Sequence, residues 1–397
     1  MQFRFENHVL DTDRRELRRG PDLVAVEPQV FDLLLYLVRN RDRVVSKDDL
    51  IAAVWGGRIV SDSTLDSRIN AVRKAVGDNG DEQRLIRTIA RKGVRFVSAV
   101  DEPPHATDIS AGPRPSAPPE RQEIHFCTST DGARIAYAAV GRGPPLIKTA
   151  NWLNHLEYDW ESPIWSHLLH ALAAKHRLIR YDARGNGLSD WDVADISFDA
   201  FVRDLETVVD ATGLERFALL GISQGCAISI AYAVRNPHRV SHLVLYGGFA
   251  RGVRKRNSPA DIETADAVLT LMRHGWGQEN PAFRQIFTTR FLPDGTPEQM
   301  KWFNDLQRIT TSPENAVRIR QAVEDVDVTH LLAQVRVPTL VLHCRGEAGV
   351  PFEEGRFMAA GIPGARLVAL EGHNHLILES EPAWGRFLEE VETFLKM

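Results

Sequence analysis

Cysteine is scarce in this chain of 397 residues, which contains only Cys127, Cys226 and Cys344. Thiols so far apart form neither a disulfide framework nor a metal cluster, so we expect a reducing cytoplasm, no metal and no cofactor. Long apolar runs are also lacking, since none approaches the roughly 20 residues that span a bilayer. The first residues, Met1–Glu6, show no basic segment followed by an apolar one, so we expect no signal peptide. These absences predict a cytoplasmic protein that does not enter membranes.

A strong charge of one sign is absent as well, because the net charge is only -5. That value averages unlike parts: residues 1–100 hold 18 Lys and Arg against 15 Asp and Glu, whereas the remainder holds 30 against 38. The basic excess at the N-terminal end indicates an anionic partner there. A content of 43% hydrophobic and 25% charged residues is typical of a globular protein, and the length favours two or three domains.

A linker is predicted over residues 101–122, which hold six of the 21 prolines and show no apolar periodicity. It separates an N-terminal unit, residues 1–100, from a C-terminal unit, residues 123–397. Each unit has a size that suits a single domain.

The N-terminal unit combines short strands with helices and ends in a hairpin. Alternating segments are predicted as strands at Phe3–Leu10, Glu16–Arg19 and Leu23–Val26. Apolar residues at helical spacing predict helices at Pro28–Val38, at Ser46–Trp55 and from near Ser61 to Val76. The hairpin strands are Leu85–Ile89 and Val94–Val97.

Three helices followed by a hairpin with a basic tip make a winged helix-turn-helix of the α+β class. The run from Val60 to Val97, VSDSTLDSRINAVRKAVGDNGDEQRLIRTIARKGVRFV, resembles the DNA-binding domain of OmpR-type response regulators and CadC-type transmembrane activators. The resemblance implies that this unit binds double-stranded DNA. No receiver domain precedes it and no transmembrane helix follows, so we expect neither control by a sensor kinase nor a membrane anchor.

Candidate DNA contacts lie on the third helix and on the hairpin, which forms the wing. A helix fits the major groove, where Arg and Asn reach base edges, and cations on the wing meet phosphates. On the helix we select Arg68, Asn70, Arg73 and, nearer the DNA backbone, Lys74. On the wing we select Arg87, Thr88, Arg91 and Lys92. Any one of these cations alone is equally well explained as a solvated surface charge. Winged helices commonly occupy repeated half-sites, so we expect a homodimer.

The C-terminal unit begins with a predicted hairpin, Glu123–Ser129 and Ile135–Val140. Apolar strands then alternate with helices, which predicts a mainly parallel sheet covered by helices. The predicted strands are Leu146–Ala150, Leu178–Asp182, Phe217–Gly221, Leu243–Gly247, Thr339–Cys344 and Arg366–Leu370.

A G-x-S-x-G motif, GISQG at Gly221–Gly225, lies between a predicted strand and a predicted helix. In that context the motif is a nucleophile elbow, in which a serine, here Ser223, occupies a sharp and strained turn. The two glycines remove side chains that would clash there. The backbone N–H of Gln224, at the start of the helix, is placed to stabilise a developing oxyanion.

With this motif the C-terminal unit resembles the α/β-hydrolase superfamily over essentially its full length. The segment Arg180–Asp190, RYDARGNGLSD, is similar to the D-x-R-G-x-G-x-S block of many members, a mostly architectural block. A helical cap is expected at about residues 249–330, where the strand alternation is interrupted. We expect its aromatic residues mainly in the cap core, with some lining the pocket; they are Trp276, Phe283, Phe287, Phe291, Trp302 and Phe303.

The resemblance implies a catalytic triad in the order serine, acid, histidine along the chain. Ser223 is the nucleophile, and Glu347 stands where members usually carry an aspartate. Glutamate can orient an imidazole as aspartate does, although its extra methylene changes the geometry. Glu353 and Glu354 are the alternatives, but we expect both to be surface charges at the start of a helix.

Two histidines, His373 and His375, are candidates for the third member of the triad. We select His375, because it lies seven residues before Pro382, the spacing that the family typically shows. His373 is then a loop histidine.

The resemblance also implies a second oxyanion donor in the loop after the strand at Leu146. Members usually have His-Gly there, whereas this chain has Ala150-Asn151-Trp152. We select the backbone N–H of Trp152 as that donor, together with Gln224, and expect the bulkier loop to narrow the site.

These features predict a one-component transcription regulator. Its winged helix binds promoter DNA, and its hydrolase-like unit senses a small ligand: an ester, lactone, amide or ring-cleavage-type compound. Either the triad hydrolyses the ligand through an acyl-enzyme, so that the signal ends itself, or it recognises the ligand without turnover. The alternative is a dedicated serine hydrolase whose winged helix is a tether or a partner-binding module.

Overall fold

The computed structural model describes residues 2–12, 14–41, 43–47, 49–50, 54, 62–80, 82–89, 92–98, 100 and 122–396. The chain divides into two compact units, Met1–Ser116 and Ala117–Met397. Three predicted features fall largely or wholly outside the described residues: the helix at Ser46–Trp55, the wing residue Arg91 and the linker at 101–122. In the part of the chain that is described, no helix is long and apolar enough to cross a membrane.

The N-terminal unit opens with four short strands: β1 (Gln2–Phe5), β2 (His8–Asp11), β3 (Glu16–Arg19) and β4 (Asp22–Val24). They form one antiparallel sheet in sequence order. The prediction of a single strand at Phe3–Leu10 is wrong, because the chain reverses at Glu6, which adopts a left-handed φ of 47°. Buried side chains fall at odd positions before the turn, Phe3 and Phe5, and at even positions after it, starting with His8. The alternation therefore restarts after the turn.

Two helices and a hairpin complete the described part of this unit. Helix α1 spans Pro28–Arg39 and α2 spans Asp62–Ala75, and both contribute to one hydrophobic core. The apolar stripe predicted for the third helix is confirmed, since its members are all buried: Leu65, Ile69, Val72 and Val76. The hairpin is confirmed too, with β5 (Ile86–Ile89) antiparallel to β6 (Gly93–Phe96).

The carboxylate of Asp78 anchors the wing to the end of α2. Its Oδ1 accepts hydrogen bonds from the backbone N–H groups of Asn79 and Arg84, both at 2.9 Å. Its Oδ2 accepts from Leu85 at 2.9 Å and from Ile86 at 2.8 Å. Burial by itself would raise the pKa of Asp78, but these four N–H donors favour the anion and hold the pKa below its ordinary value.

The C-terminal unit is built on eight strands: β7 (Glu123–Thr128), β8 (Arg134–Val140), β9 (Pro145–Lys148), β10 (Arg177–Tyr181), β11 (Phe217–Ile222), β12 (Val240–Tyr246), β13 (Thr339–Cys344) and β14 (Arg366–Leu370). They form one sheet in the order β14-β13-β12-β11-β9-β10-β8-β7. Only the pairs β7–β8 and β8–β10 of this sheet are antiparallel, which confirms the mainly parallel sheet.

Helices connect these strands: α3 (Leu156–Trp160), α4 (Ser166–Ala173), α5 (Phe198–Thr212), α6 (Gly225–Arg235), α7 (Pro259–Gly275), α8 (Ala282–Phe291), α9 (Pro297–Thr310), α10 (Pro313–Glu324), α11 (Phe352–Gly361) and α12 (Pro382–Leu395). Four of them, α7 to α10, stand between β12 and β13 in place of a single crossover helix. They form the helical cap that the sequence predicts at this position.

The segment Arg180–Asp190 fixes the loops around the carboxyl end of the sheet. The guanidinium of Arg184 is buried and donates to the buried carboxylate of Asp204 at 2.7 Å. The carboxylate of Asp182 accepts the backbone N–H groups of Leu156, where α3 begins, at 3.2 Å and of Leu188 at 2.9 Å. These contacts hold the loop that leads from β9 into α3.

Replacing Asp78 tests its role as the wing anchor. In Asp78→Asn an NH2 group faces two N–H donors, so we expect the N-terminal unit to lose about 2 kcal/mol of stability. Hydrogen exchange with mass spectrometry should show faster exchange at Ile86–Ile89 and no change at Phe217–Ile222. Because the pKa of Asp78 is lowered by folding, its contribution is present at neutral pH and is lost as the pH falls below about 4. The same substitution at the exposed Asp22 is the control, and equal exchange in the two variants would contradict the anchor.

Candidate active site and candidate nucleic-acid interface

Ser223 occupies a sharp turn between β11 and α6. Its φ is 55°, a left-handed conformation that costs an L-residue about 1–2 kcal/mol. The turn is held by two backbone hydrogen bonds, from the Ser223 N–H to Tyr246 O and from the Cys226 N–H to Ser223 O, both at 3.0 Å. The side chain is only slightly accessible, with 7% of the residue surface exposed. The structure therefore places this serine at a strained strand-to-helix turn.

The two glycines of the motif are required by space rather than by flexibility. A Cβ atom on Gly221 would lie 2.7 Å from the carbonyl oxygen of Gly225. A Cβ atom on Gly225 would lie 3.0 Å from the carbonyl oxygen of Ala150, in the loop after β9. The turn thus packs closely against both its own helix and the neighbouring loop.

Glu347 and His375 meet in the loops that follow β13 and β14. The imidazole Nδ1 of His375 is hydrogen bonded to Glu347 Oε1, and both side chains are buried. A carboxylate only accepts, so the proton of this bond belongs to Nδ1. The second ring nitrogen, Nε2, has no partner among the described residues. Glu347 is itself fixed, because its Oε1 also accepts the backbone N–H of Val350 at 2.8 Å.

The alternative residues lie elsewhere. His373 is exposed, and its Nδ1 is 2.8 Å from Asp294 Oδ2. Glu353 is exposed and pairs with Arg356 on the same helix. The expectation that Glu354 is a surface charge is wrong: its residue surface is only 4% exposed, because it accepts hydrogen bonds from the guanidinium of Arg251.

His343 contacts Glu347 although no motif singles it out. Its ring, buried on β13, donates from Nε2 to the carbonyl oxygen of Val350 at 3.0 Å and lies 3.2 Å from Glu347 Oε2. It therefore supports the Glu347 loop from the side of the strand. The available signal was a polar residue inside a strand whose other side chains are mostly apolar.

Two backbone N–H groups near Ser223 have no acceptor in the described part of the chain, those of Trp152 and Gln224. Both residues line the same cavity as Ser223 and His375. Next to Trp152, Leu153 has a left-handed φ of 59°, so the loop after β9 turns sharply without glycine. These two N–H groups are therefore the candidate donors for an oxyanion site at this cavity.

The buried side chain of Lys148 stabilises the loop that follows β9. Lys148 donates from Nζ to Asn151 Oδ1 at 2.5 Å, and the Asn151 N–H donates to Asn154 Oδ1 at 2.8 Å. Burial lowers the pKa of Lys148, and it raises the pKa of the neighbouring carboxyl group of Asp159. The loop is thus tied to a charged side chain at the end of β9.

A cavity of about 220 Å³ lies next to Ser223 and His375, and residues of the cap line it. Phe287 and Phe291 of α8 line it, as expected for some of the cap aromatics. Trp276 and Phe303 belong to the cap core, while Phe283 is exposed and Trp302 stacks on Tyr158 with ring centroids 4.6 Å apart. The His375 N–H donates to Phe291 O at 2.9 Å, so the end of α8 is joined to the histidine loop.

The candidate DNA contacts of the N-terminal unit differ in accessibility. Exposed side chains belong to Asn70 and Lys74 on α2 and to Arg87, Thr88 and Lys92 on the wing. Arg68 is partly exposed and forms an ion pair with Glu27.

Arg73 departs from the expectation of a free DNA contact. Its residue surface is 6% exposed, and its guanidinium donates to Ile86 O at 3.2 Å, to Thr88 Oγ1 at 2.8 Å and to Asn70 Oδ1 at 3.3 Å. It joins α2 to β5 within the domain. The position on the polar face of the helix did not reveal this, because two of the three acceptors, Ile86 and Thr88, come from the wing.

Two models of known protein families match this chain. A family model described as alpha/beta hydrolase fold matches residues 158–382. A second model, described as transcriptional regulatory protein, C terminal, matches residues 21–96.

Curated relatives share about a quarter of their residues with this chain. An AB hydrolase superfamily protein, YisY of Bacillus subtilis, is 28% identical over 283 residues, or 68% of this chain and 95% of that protein. The pimeloyl-[acyl-carrier protein] methyl ester esterase of Nitrosomonas europaea is 26% identical over 63% of this chain and 96% of its own length. A 2-hydroxy-6-oxononadienedioate/2-hydroxy-6-oxononatrienedioate hydrolase of Pseudomonas putida is 26% identical over 64% and 85%.

Solved structures show the same fold. A hydrolase from Pseudomonas aeruginosa PA01 has a TM-score of 0.58 and 26% identity, and it covers 69% of this chain and 98% of that one. The enol-lactonase from Burkholderia xenovorans LB400 has a TM-score of 0.57 and 22% identity over 69% and 100%.

The strain at Ser223 predicts an unusual order of stabilities. Ser223→Gly should be more stable than Ser223→Ala by about 1 kcal/mol, because glycine adopts a left-handed φ without the steric cost that alanine retains. At the exposed helical position Ala267 the order is reversed, and Ala267→Gly should lose about 1 kcal/mol. Differential scanning calorimetry of the full chain measures both changes. If glycine lowers the melting temperature at both positions, the turn at residue 223 is not strained.

Proposed function

The chain belongs to the alpha/beta hydrolase fold family and carries a DNA-binding domain of the OmpR type ahead of it, and from this we propose that it is a ligand-responsive transcription regulator. In this proposal the N-terminal unit binds promoter DNA. The C-terminal unit binds a small carbonyl compound, an ester, lactone or amide, and hydrolyses it.

The observation that carries the catalytic half is the convergence of complementary groups on one cavity. Ser223, His375, Gln224 and Trp152 all line it. Glu347 lies behind His375 and accepts a hydrogen bond from its Nδ1. Candidates for nucleophile, base, orienting acid and oxyanion donors therefore come together at this cavity, and this supports turnover rather than recognition alone.

The first half-reaction forms an acyl-enzyme. Nε2 of His375 takes the proton of the Ser223 hydroxyl while Oγ attacks the substrate carbonyl, and Glu347 stabilises the imidazolium that results. The negative charge that develops on the carbonyl oxygen is stabilised by the N–H groups of Gln224 and Trp152. Collapse of the tetrahedral intermediate expels the alcohol or amine, which receives the proton from His375.

The second half-reaction returns the serine. His375 takes a proton from a water molecule, and the hydroxide attacks the acyl carbon of the ester on Ser223. The acid is released, and Oγ takes the proton back. Because hydrolysis consumes the intact ligand, a signal that the intact ligand carries ends when the ligand is hydrolysed.

The relatives support a carbonyl substrate. One of them is named as an esterase that acts on a methyl ester, and another is named as a hydrolase of an oxo-dienedioate.

DNA binding is assigned to the exposed candidates. Asn70 of α2 is suited to base edges, while Lys74, Arg87 and Lys92 are suited to phosphates, with Thr88 between them on the wing. Arg68 joins them when DNA displaces Glu27, and Arg91 at the tip of the wing remains a predicted contact. Arg73 is reassigned as a positioning residue that holds α2 against the wing.

Regulation requires that ligand and DNA influence each other's affinity. If the ligand changes the affinity for DNA by some factor, DNA changes the affinity for the ligand by the same factor. A homodimer on repeated half-sites is part of the proposal. The second candidate function is a dedicated hydrolase whose winged helix serves as a tether. The presence of candidate residues for every catalytic role supports this alternative as well.

Hydrolysis is tested with p-nitrophenyl butyrate. Ser223→Ala and His375→Gln should each lower kcat by at least about a thousandfold, because nucleophile or base is lost, and Glu347→Gln should lower it strongly by misorienting the imidazole. Glu353→Gln and His373→Gln, which alter the exposed alternatives, are the matched controls and should keep wild-type rates. If Ser223→Ala hydrolyses the ester as fast as the wild type, the site recognises its ligand without turnover.

DNA binding is tested on a fragment from upstream of the protein's own coding sequence, by fluorescence anisotropy over a range of salt concentrations. Lys74→Gln and Lys92→Gln should each weaken binding and reduce the slope of log K against log salt by about 1, because each removes one phosphate contact. Arg14→Gln, on the loop between β2 and β3, is the control of equal charge. If the wild type shows no sequence-specific, salt-sensitive binding, the dedicated hydrolase is the better conclusion.

A further inference from the structure

The wall of the cavity that the cap forms is rich in arginine. Three line it: Arg256 from the loop before α7, Arg290 from α8 and Arg320 from α10. Among the described residues, the only carboxylate in the lining is that of Glu324. Arg320 donates to its Oε1 at 2.6 Å and Arg254 donates to its Oε2 at 3.1 Å, so both oxygens are already engaged.

Two of these guanidinium groups form no hydrogen bond with a carboxylate among the described residues. Arg290 makes one hydrogen bond, from Nη2 to the carbonyl oxygen of Gly349 at 3.4 Å. Arg256 donates from Nε to the carbonyl oxygen of Arg251 at 3.2 Å. Its nearest carboxylate oxygen, on Glu354, is 3.8 Å away and is hydrogen bonded to Arg251 instead.

The surroundings make these charges costly. Burial lowers the pKa of Arg256 and of Arg290, although the surface of Arg290 is still exposed. Glu354 and Asp261 attract Arg256, and Asp261 and Glu324 attract Arg290, but in the described part of the chain none of these carboxylates is hydrogen bonded to either arginine. Charged groups removed from water are ordinarily compensated by an ion of opposite sign. Here the space for that ion is the cavity itself.

Apart from the groups around Ser223, the lining is mostly apolar and includes the rings of Trp152, Phe249, Phe287 and Phe291. A guanidinium is a planar fork that matches a carboxylate with two parallel hydrogen bonds. The volume of about 220 Å³ is below the roughly 300–1,000 Å³ of pockets for drug-sized ligands. The occupant is therefore compact, apolar along its length and anionic at one end.

We infer that the substrate is a carbonyl compound with a free carboxylate, which Arg256 and Arg290 bind while the scissile carbonyl lies at Ser223. This inference rests on the proposed hydrolase site and names the class of compound that it takes. Half-esters of short dicarboxylic acids and lactones that carry a free carboxylate belong to this class, whereas neutral esters of the same length do not.

The kinetic test compares 4-nitrophenyl half-esters of succinate, glutarate and adipate with the neutral 4-nitrophenyl esters of equal acyl length. The wild type should prefer the best half-ester by about tenfold or more in kcat/KM, because charge-assisted hydrogen bonds are added. Arg256→Gln and Arg290→Gln should each reduce this ratio, and the double variant should bring it close to one. Arg273→Gln, an exposed arginine of the same cap outside the cavity, should keep the wild-type ratio.

The binding test does not depend on turnover. Calorimetric titration of the Ser223→Ala protein with the stable half-anilides of the same acids, against the neutral anilides, should show the same preference and the same loss in the double arginine variant. If the wild type hydrolyses neutral esters and no half-compound is preferred in either test, the inference is wrong and the proposed hydrolase remains. If nothing is hydrolysed but the half-anilides bind tightly through the arginines, the anionic site is established and the hydrolase is not.

Discussion

The left-handed backbone at Ser223 is the constraint on which the C-terminal unit depends. An L-residue does not hold this conformation unless its surroundings impose it. β11, which leads into the turn, is paired with β9 on one side and β12 on the other, and the Ser223 N–H is bonded to the end of β12. The loop with Trp152 leaves the adjacent β9. The sheet that holds Ser223 in this conformation therefore also positions the start of the loop that carries Trp152.

What the sequence predicted well is what lies close together along the chain. The G-x-S-x-G turn, the apolar stripe of α2 and most strands are local patterns, and their period or spacing is set by backbone geometry. The turn at Glu6 was missed because a residue with a side chain occupies a left-handed position that usually belongs to glycine. The burial of Glu354 and the contacts of His343 depend on residues distant in sequence, so no local pattern contains them.

Arginines illustrate the same distinction between local and tertiary information. In the sequence, Arg73 and Arg290 are both simply arginines on predicted helices. In the structure Arg73 donates hydrogen bonds from Nε, Nη1 and Nη2 within its domain, whereas Arg290 donates only from Nη2. A side chain whose donors are all engaged holds the protein together. One whose donors are left open toward a cavity is available to a ligand. The number of internal partners, which only the fold supplies, separates the two roles.

The hydrogen bond from the His375 N–H to Phe291, the last residue of α8, joins the cap to the loop that carries His375. The two rings are in edge contact, with centroids 4.9 Å apart. Phe291 and His375 lie far apart in the chain, but substitutions near one of them also affect the position of the other. A substitution that shifts α8 to admit a new substrate also moves the imidazole away from Ser223. Descendants of this protein should therefore diversify in α7 and α9 first, and accept changes at the end of α8 only together with changes in the histidine loop.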